Sequence, residues 1–186
     1  MFSDVHGYTW CKMNPDMKSK VRATLKQLGA SGDLAEQRSL PLFAEATELE
    51  IAHVSASGRE HLLVPEAAAA WRAMRDSAAE EDVTLLAISG FRAFDRQVEL
   101  IQAKLERGEL IDDILSIMAP PGCSEHHSGR AVDVGTPGCE PMSEAFEQTK
   151  AFGWLEQRAH GYGFWMSYPR DNPKGFTYEP WHWCHR

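Results

Sequence analysis

Ser124-Glu125-His126-His127-Ser128-Gly129-Arg130-Ala131-Val132-Asp133, read together with Glu179-Pro180-Trp181-His182-Trp183 near the chain end, decides how this sequence is organised. In the first stretch, imidazoles and a carboxylate stand on either side of Ser128-Gly129, a turn that lets the chain fold back and present both to one point. Gly129 offers the backbone freedom such a turn requires. The second stretch supplies another imidazole, His182, and a carboxylate three residues before it, Glu179. Two imidazoles and Asp133 make three ligands that leave one position of a tetrahedral metal open. Glu179 is then a spare carboxylate placed to take a proton from water. Such a set points to a hydrolytic zinc site, in which the metal polarises a carbonyl and acidifies water. Spacing alone leaves His126 and His127 as rival ligands. The other histidines read as surface or packing residues.

Outward from these stretches, the periodicity predicts helices and short strands. Pro65 suits a first helical turn, and Ala67, Trp71, Met74 and Ala78 form one apolar face. Val83 to Ile88 reads as a buried strand, which leads through Ser89-Gly90-Phe91-Arg92 into a helix with a stripe of Phe94, Val98, Ile101 and Leu105. Met17 to Leu28, Leu110 to Met118 and Thr149 to His160 are further helices. Ala131 to Val134, Gly163 to Tyr168 and Phe176 to Trp183 are strand candidates, the last two joined by the turn-forming run 169–175. This lacks the regular rhythm of a doubly wound sheet. The expected class is α+β: a compact single domain with a small central antiparallel sheet flanked by helices. Residues 1–60 form an extension that wraps the core or shapes a cleft rim, and 61–186 carry the site.

A chain of 186 residues, 43% hydrophobic and 25% charged, suffices for one substantial core. The formal net charge of −8 argues against a phosphate-tracking surface, so nucleic acid is not an expected partner. One buried arginine can still recognise a carboxylate. No window approaches the roughly 20 apolar residues of a membrane span, and Met1 to Trp10 lack the basic start and apolar run of a secretory signal. A complete chain would then be cytoplasmic, and a trimmed one periplasmic or otherwise extracytoplasmic. Cys11, Cys123, Cys139 and Cys184 form no C-x-x-C pair and read as buried thiols. One disulfide among the last three is conceivable in an oxidising compartment, and Cys184 as a fourth ligand would close the position that water needs. Composition fixes no oligomeric state.

Ser124, His126, Gly129, Ala131 and Asp133, followed by Glu-Pro-Trp-His-Trp at 179 to 183, resemble the zinc D-alanyl-D-alanine carboxypeptidases of the vancomycin-resistance type. That group is related to D-Ala-D-Ala dipeptidases, to L-alanyl-D-glutamate endolysins and to the hedgehog fold. The likeness extends to Ser89-Gly90-Phe91-Arg92, Gln97, Gly163-Phe164 and Ser167-Tyr168-Pro169. The resemblance implies zinc on His126, Asp133 and His182, Glu179 as catalytic base, Arg92 as the partner of substrate and developing oxyanion, and Gln97 and Ser124 beside the substrate. It implies one Zn2+ per chain and a peptidoglycan stem peptide, or another D-Ala-terminated peptide, as substrate. His127-Ser128 and Arg130 depart from the common pattern and bear on substrate choice. Dipeptidase or L-Ala-D-Glu endopeptidase activity is the nearest alternative. A non-hydrolytic zinc-containing binding module is the more distant one, although it would need neither Glu179 nor Arg92.

Overall fold

In the computed structural model, which describes residues 15–186, a four-stranded antiparallel sheet carries Asp133 and His182, with two packed apolar clusters around it. The readings made on Met1 to Trp10, including His6, and on Cys11 lie outside the described residues. Among the described residues the α-helices are α1 (Pro15–Gln27), α2 (Leu34–Gln37), α3 (Pro65–Glu80), α4 (Phe94–Glu106), α5 (Ile111–Ile117) and α6 (Lys150–Arg158). The strands are β1 (Glu50–Val54), β2 (Glu60–Leu63), β3 (Leu86–Ser89), β4 (Ala131–Gly135), β5 (Phe164–Met166) and β6 (His182–His185). The architecture is the expected mixed α+β arrangement, with the main sheet ordered β3-β4-β6-β5.

The register of that sheet positions the chemistry. Asp133 on β4 stands opposite His182 on β6, and Ser89 on β3 stands opposite Asp133 on its other side. Directly opposed residues of antiparallel strands hold their Cβ atoms about 5 Å apart. Two side chains 49 positions apart in sequence are thereby forced together. A one-residue slip would send them to opposite faces.

Helix α3 starts at Pro65, whose missing N–H costs nothing in a first turn. Its buried face, Ala67, Trp71, Met74 and Ala78, packs on Val132, Val134, Phe164 and Trp183 in one core cluster. The second cluster joins Val21 and Leu25 of α1, Leu40, Leu42, Phe94, Ile101, Ile114 and Leu115. Residues 15–46 are therefore part of the packed body. They also bond to the site's loops: Phe43 N–H donates to Gly122 O at 2.9 Å, Ala46 N–H to His127 O at 2.8 Å, and the Glu45 carboxylate accepts the Phe94 N–H at 2.6 Å, where α4 begins.

Three expectations need correction. The strand expected over 176–183 is confined to its end, because β6 begins only at His182 and residues 176–181 form turn and loop. Phe176 and Trp181 are apolar because they line a cleft, not because they pair in a sheet. The strands expected over 83–88 and 163–168 shrink to β3 and β5. The β1–β2 hairpin, which bridges residue 60, has no counterpart in the sequence reading.

Candidate active site

Each of the three expected ligands arrives on a different backbone device. His126 lies in a single 3-10 turn, Glu125–Ser128, which Gly129 ends with φ of 66°, in the left-handed region glycine accepts. Asp133 sits in the centre of β4 and His182 opens β6. All three are buried, and one ligand atom from each lies within 4.8 Å of the others.

The orientation of the rings is fixed from outside. His126 Nδ1 is 2.8 Å from the Gly90 carbonyl, so Nδ1–H donates there and Nε2 is left facing Asp133 Oδ2 at 3.2 Å. Gly90 must be glycine here, since a Cβ would fall 2.6 Å from Leu62 O. His182 is arranged the other way round. Its Nε2–H donates to Glu125 Oε2 at 3.1 Å, and its Nδ1 faces Asp133 Oδ1 at 3.0 Å. Each imidazole thus has its outer nitrogen satisfied and its inner nitrogen turned toward the Asp133 carboxylate. A metal-binding histidine needs this tautomer control. Two imidazole nitrogens and one carboxylate suit a borderline-soft divalent cation such as zinc.

The electrostatics favour a cation at this point. Burial opposes the charge on Asp133, yet His126 and His182 hold its carboxyl well below the usual range. Burial likewise opposes the charge on His182, but its bonds to Asp133 and Glu125 outweigh that and raise it to about 10. The carboxylates on either side of the His182 ring stabilise positive charge on it, and Asp133 alone faces the point where the ligand atoms converge.

Glu179 stands beside this group without joining it. Its Oε2 is 3.9 Å from His182 Nδ1, and its backbone N–H donates to Tyr168 O at 3.0 Å. Burial pushes its pKa up to about 7, with Asp133 and Glu125 adding to the rise and His182 and Arg92 opposing it. A carboxylate poised near neutrality can both take and return a proton.

Arg92 lies on the same cleft. Its guanidinium donates to Gln97 Oε1 at 2.9 Å and Ser89 Oγ at 3.0 Å, and comes within 3.9 Å of Asp133 Oδ2. Gln97 donates with its other end to Ala119 O at 2.7 Å, so the two ends of its amide join Arg92 to the backbone after α5. Ser124 is buried and lines the cleft. His127, the rival ligand, points away from the triad. Its Nδ1–H donates to Arg92 O at 2.6 Å and its Nε2 accepts the Gly122 N–H at 3.0 Å. Burial keeps it neutral, with a pKa lowered to about 4. It fixes the backbone from which Arg92 projects.

Glu125 is the residue that the sequence reading missed. Burial would raise its carboxyl, but His182 first and then Lys174, whose Nζ is 3.6 Å away, hold it down at about 2. The sole sequence signal was its place between Ser124 and His126 within the motif. Cys123, Cys139 and Cys184 are free thiols, and the ligand group contains no cysteine.

A cleft of about 450 Å³ opens on these residues, walled by α4, the end of α5 and the segment 176–182. Arg38 ties two of these walls together: Nη1–H donates to Leu115 O at 2.7 Å and Nη2–H to Lys174 O at 2.8 Å, while its guanidinium carbon lies 4.4 Å from the centre of the Phe176 ring. Among the described residues, no helix is long and apolar enough to cross a membrane.

Comparison with known proteins places this geometry in a family. Residues 60–186 match the model of the VanY D-alanyl-D-alanine carboxypeptidases. YodJ of Bacillus subtilis (strain 168) is 34% identical over 160 residues, covering 79% of this chain and 56% of that protein. The chain therefore spans little more than half the length of that relative. Among solved structures, the LdcB LD-carboxypeptidase superposes with a TM-score of 0.67 at 33% identity, over 76% of this chain and 69% of the other. A mutant of the vancomycin-resistance D,D-pentapeptidase VanY in complex with Zn(II) gives 0.60 at 25%, over 75% of this chain and 79% of that one. With the family match running from β2 to the last residue and taking in Arg92, both halves of the ligand group and Glu179, this chain belongs to the VanY family of D-alanyl-D-alanine carboxypeptidases.

Proposed function

We propose that this protein is a zinc-dependent carboxypeptidase that removes the terminal D-alanine from peptidoglycan stem peptides or their precursors. The observation that carries the reading is the buried His126, Asp133 and His182 group with Glu179 beside it but outside it. The VanY structure in complex with Zn(II) supports zinc as the metal, and the single candidate ligand group among the described residues supports one per chain. Zinc, when bound, supplies Lewis acidity toward the scissile carbonyl and toward water.

The chain's own residues do the rest. His126, Asp133 and His182 hold the metal, and Gly90 O and Glu125 keep the two rings turned inward. Glu179 takes the proton of the attacking water on its carboxylate and returns it to the departing amine of D-alanine, a double role open to a carboxylate that stands beside the ligand group without joining it. Arg92 offers its guanidinium to the carbonyl oxygen as negative charge develops. Ser89 and Gln97 hold that guanidinium in place. Gln97 and Ser124 line the cleft beside the substrate, and Gln97 also serves as the brace of Arg92. The described part of the expected extension, residues 15–60, buttresses the cleft rather than acting as a separate unit.

The likeness to LdcB supports a second reading in which the same machinery cleaves an L,D bond. Glu179→Gln tests the mechanism common to both. The variant should retain zinc and lose about two orders of magnitude or more in turnover. Undiminished turnover would remove Glu179 from the role of base.

A further inference from the structure

Arg92 is aimed by two separate sets of contacts. One set grips its guanidinium, whose N–H groups are accepted by Gln97 Oε1 at 2.9 Å and Ser89 Oγ at 3.0 Å. The other grips residues 90–93, which belong to no helix or strand. Such a segment keeps its course only through bonds to other parts of the chain. Phe91 N–H donates to Leu62 O at 2.7 Å, Arg92 N–H donates to His126 O at 3.2 Å, and Arg92 O accepts from His127 Nδ1 at 2.6 Å. Two of these three holds come from the turn that carries the ligand His126.

The exit of the segment is held from elsewhere. At Phe94 the chain enters α4, and the first N–H groups of a helix have no partner within it. Ala93, at the cap position, makes no side-chain bond to them. The Glu45 carboxylate, 49 positions away in sequence, accepts the Phe94 N–H at 2.6 Å instead. Its charge also suits the positive end of the helix. Phe43 N–H donates to Gly122 O and Ala46 N–H to His127 O, so the backbone on either side of Glu45 is itself bonded to the loops of the site.

A carboxylate at a helix start is ordinarily a stability device, and by itself would imply nothing about catalysis. Glu45 differs because of what the start of α4 carries. Arg92 lies two residues before Phe94, and Gln97, the brace of its guanidinium, lies three residues after it. A shift of this turn displaces both the backbone that projects the guanidinium and the amide that steadies it. The ligands His126, Asp133 and His182 belong to other elements. Building on the carboxypeptidase reading above, we infer that Glu45 is a positioning residue for the reaction, holding Arg92 through the start of α4 at the point where negative charge develops. A group misplaced by about 1 Å can cost up to about a hundredfold in rate, and a donor to developing charge acts only from a fixed position. Glu45 stands ahead of residues 60–186, the segment that matches the family, so the family motifs do not contain it.

In zinc-loaded protein, Glu45→Ala should lower kcat for a peptide ending in D-alanyl-D-alanine by about tenfold, with KM and zinc content unchanged. Glu45→Gln, which keeps an acceptor oxygen at the same reach, should recover most of the loss. In an Arg92→Gln background, Glu45→Ala should have almost no further effect on kcat, because the two residues act as one unit. The hold on the guanidinium is read independently of turnover by 15N relaxation of the Arg92 Nε–H. Its order parameter should drop from about 0.8 to below about 0.6 in Glu45→Ala and stay high in Glu45→Gln. An unchanged order parameter in Glu45→Ala overturns the positioning role irrespective of turnover. So does undiminished kcat in an active Glu45→Ala enzyme, or a loss that multiplies with that of Arg92→Gln. A wild-type protein that cleaves no D-alanine-terminated peptide, with the order parameter falling as stated, would sink the carboxypeptidase reading and leave the hold of Glu45 on Arg92 standing.

Discussion

The carboxylate of Glu125 lies 3.1 Å behind the Nε2 of His182, on the side of the ring away from Asp133. This contact decides which nitrogen of His182 is free to bind a metal. It spans 57 positions of sequence and is made inside the protein, where both side chains are almost inaccessible. Removing the carboxylate frees the ring to turn and lowers its basicity as a ligand. Glu125→Ala should therefore weaken zinc binding by about 10- to 100-fold, measured by competition with a chromogenic chelator, and Glu125→Gln, which keeps an acceptor oxygen, should recover part of the loss. Unchanged zinc affinity in the alanine variant would reduce Glu125 to a packing residue.

Asp133 is the one carboxylate in the ligand group, and its two oxygens face one ring each. Asp133→Ala should leave little zinc after dialysis against buffer, because an anionic ligand is lost and two imidazoles remain. Full occupancy by metal analysis would overturn the ligand set.

Arg92 is held by Ser89 and Gln97 and is largely shielded from water. A donor aimed at developing charge affects the chemical step more than substrate binding. Arg92→Gln should reduce kcat by about 100-fold or more with zinc content unchanged. A defect confined to KM would assign Arg92 to ground-state binding instead.

The Arg38 clamp makes a different prediction. Its bonds to Leu115 O and Lys174 O join two cleft walls without touching the ligand group. Arg38→Ala should loosen the cleft and raise KM by roughly tenfold while zinc affinity is retained. Loss of zinc in this variant would show that the segment 169–176 supports the ligand group itself.

His53 and His61 face each other across the β1–β2 hairpin with ring centres 5.9 Å apart, and burial lowers the pKa of each below 6.5. The unfolded chain protonates first as pH falls, so the unfolded state gains protons that the native state resists. Stability is therefore complete above about pH 6.5 and declines as pH drops through the depressed native values. In metal-free protein, His61→Leu should reduce the loss of denaturation midpoint between pH 7.5 and pH 5. An unaltered pH slope would contradict this.

The parts legible in the sequence were those written into local spacing. The turn at Ser128-Gly129, the Pro65 helix start and the apolar stripes of α3 and α4 need only nearby residues, and His126, Asp133, Glu179 and His182 stood out as a chemically odd set. Glu125 did not, because a glutamate between serine and histidine looks like any surface acid until the β4–β6 register brings His182 over it. The β1–β2 hairpin was hidden for a related reason. Along Glu50–Val54 only Ala52 is fully buried, so no clean alternation marks the strand. In 176–181 the error ran the other way, since aromatic residues that line a cleft carry the same signature as residues of a strand. What Arg38, Glu45 and Lys174 do depends on contacts between distant segments, and no window of sequence contains both partners.

The central claim is tested most directly by release of free D-alanine from a stem pentapeptide, with D-Ala-D-Ala dipeptide and an L-Ala-D-Glu peptide as comparators, each with zinc and with a chelator. The account predicts D-alanine release from the pentapeptide that the chelator abolishes and zinc restores. Protein that holds zinc yet cleaves none of the three would contradict it.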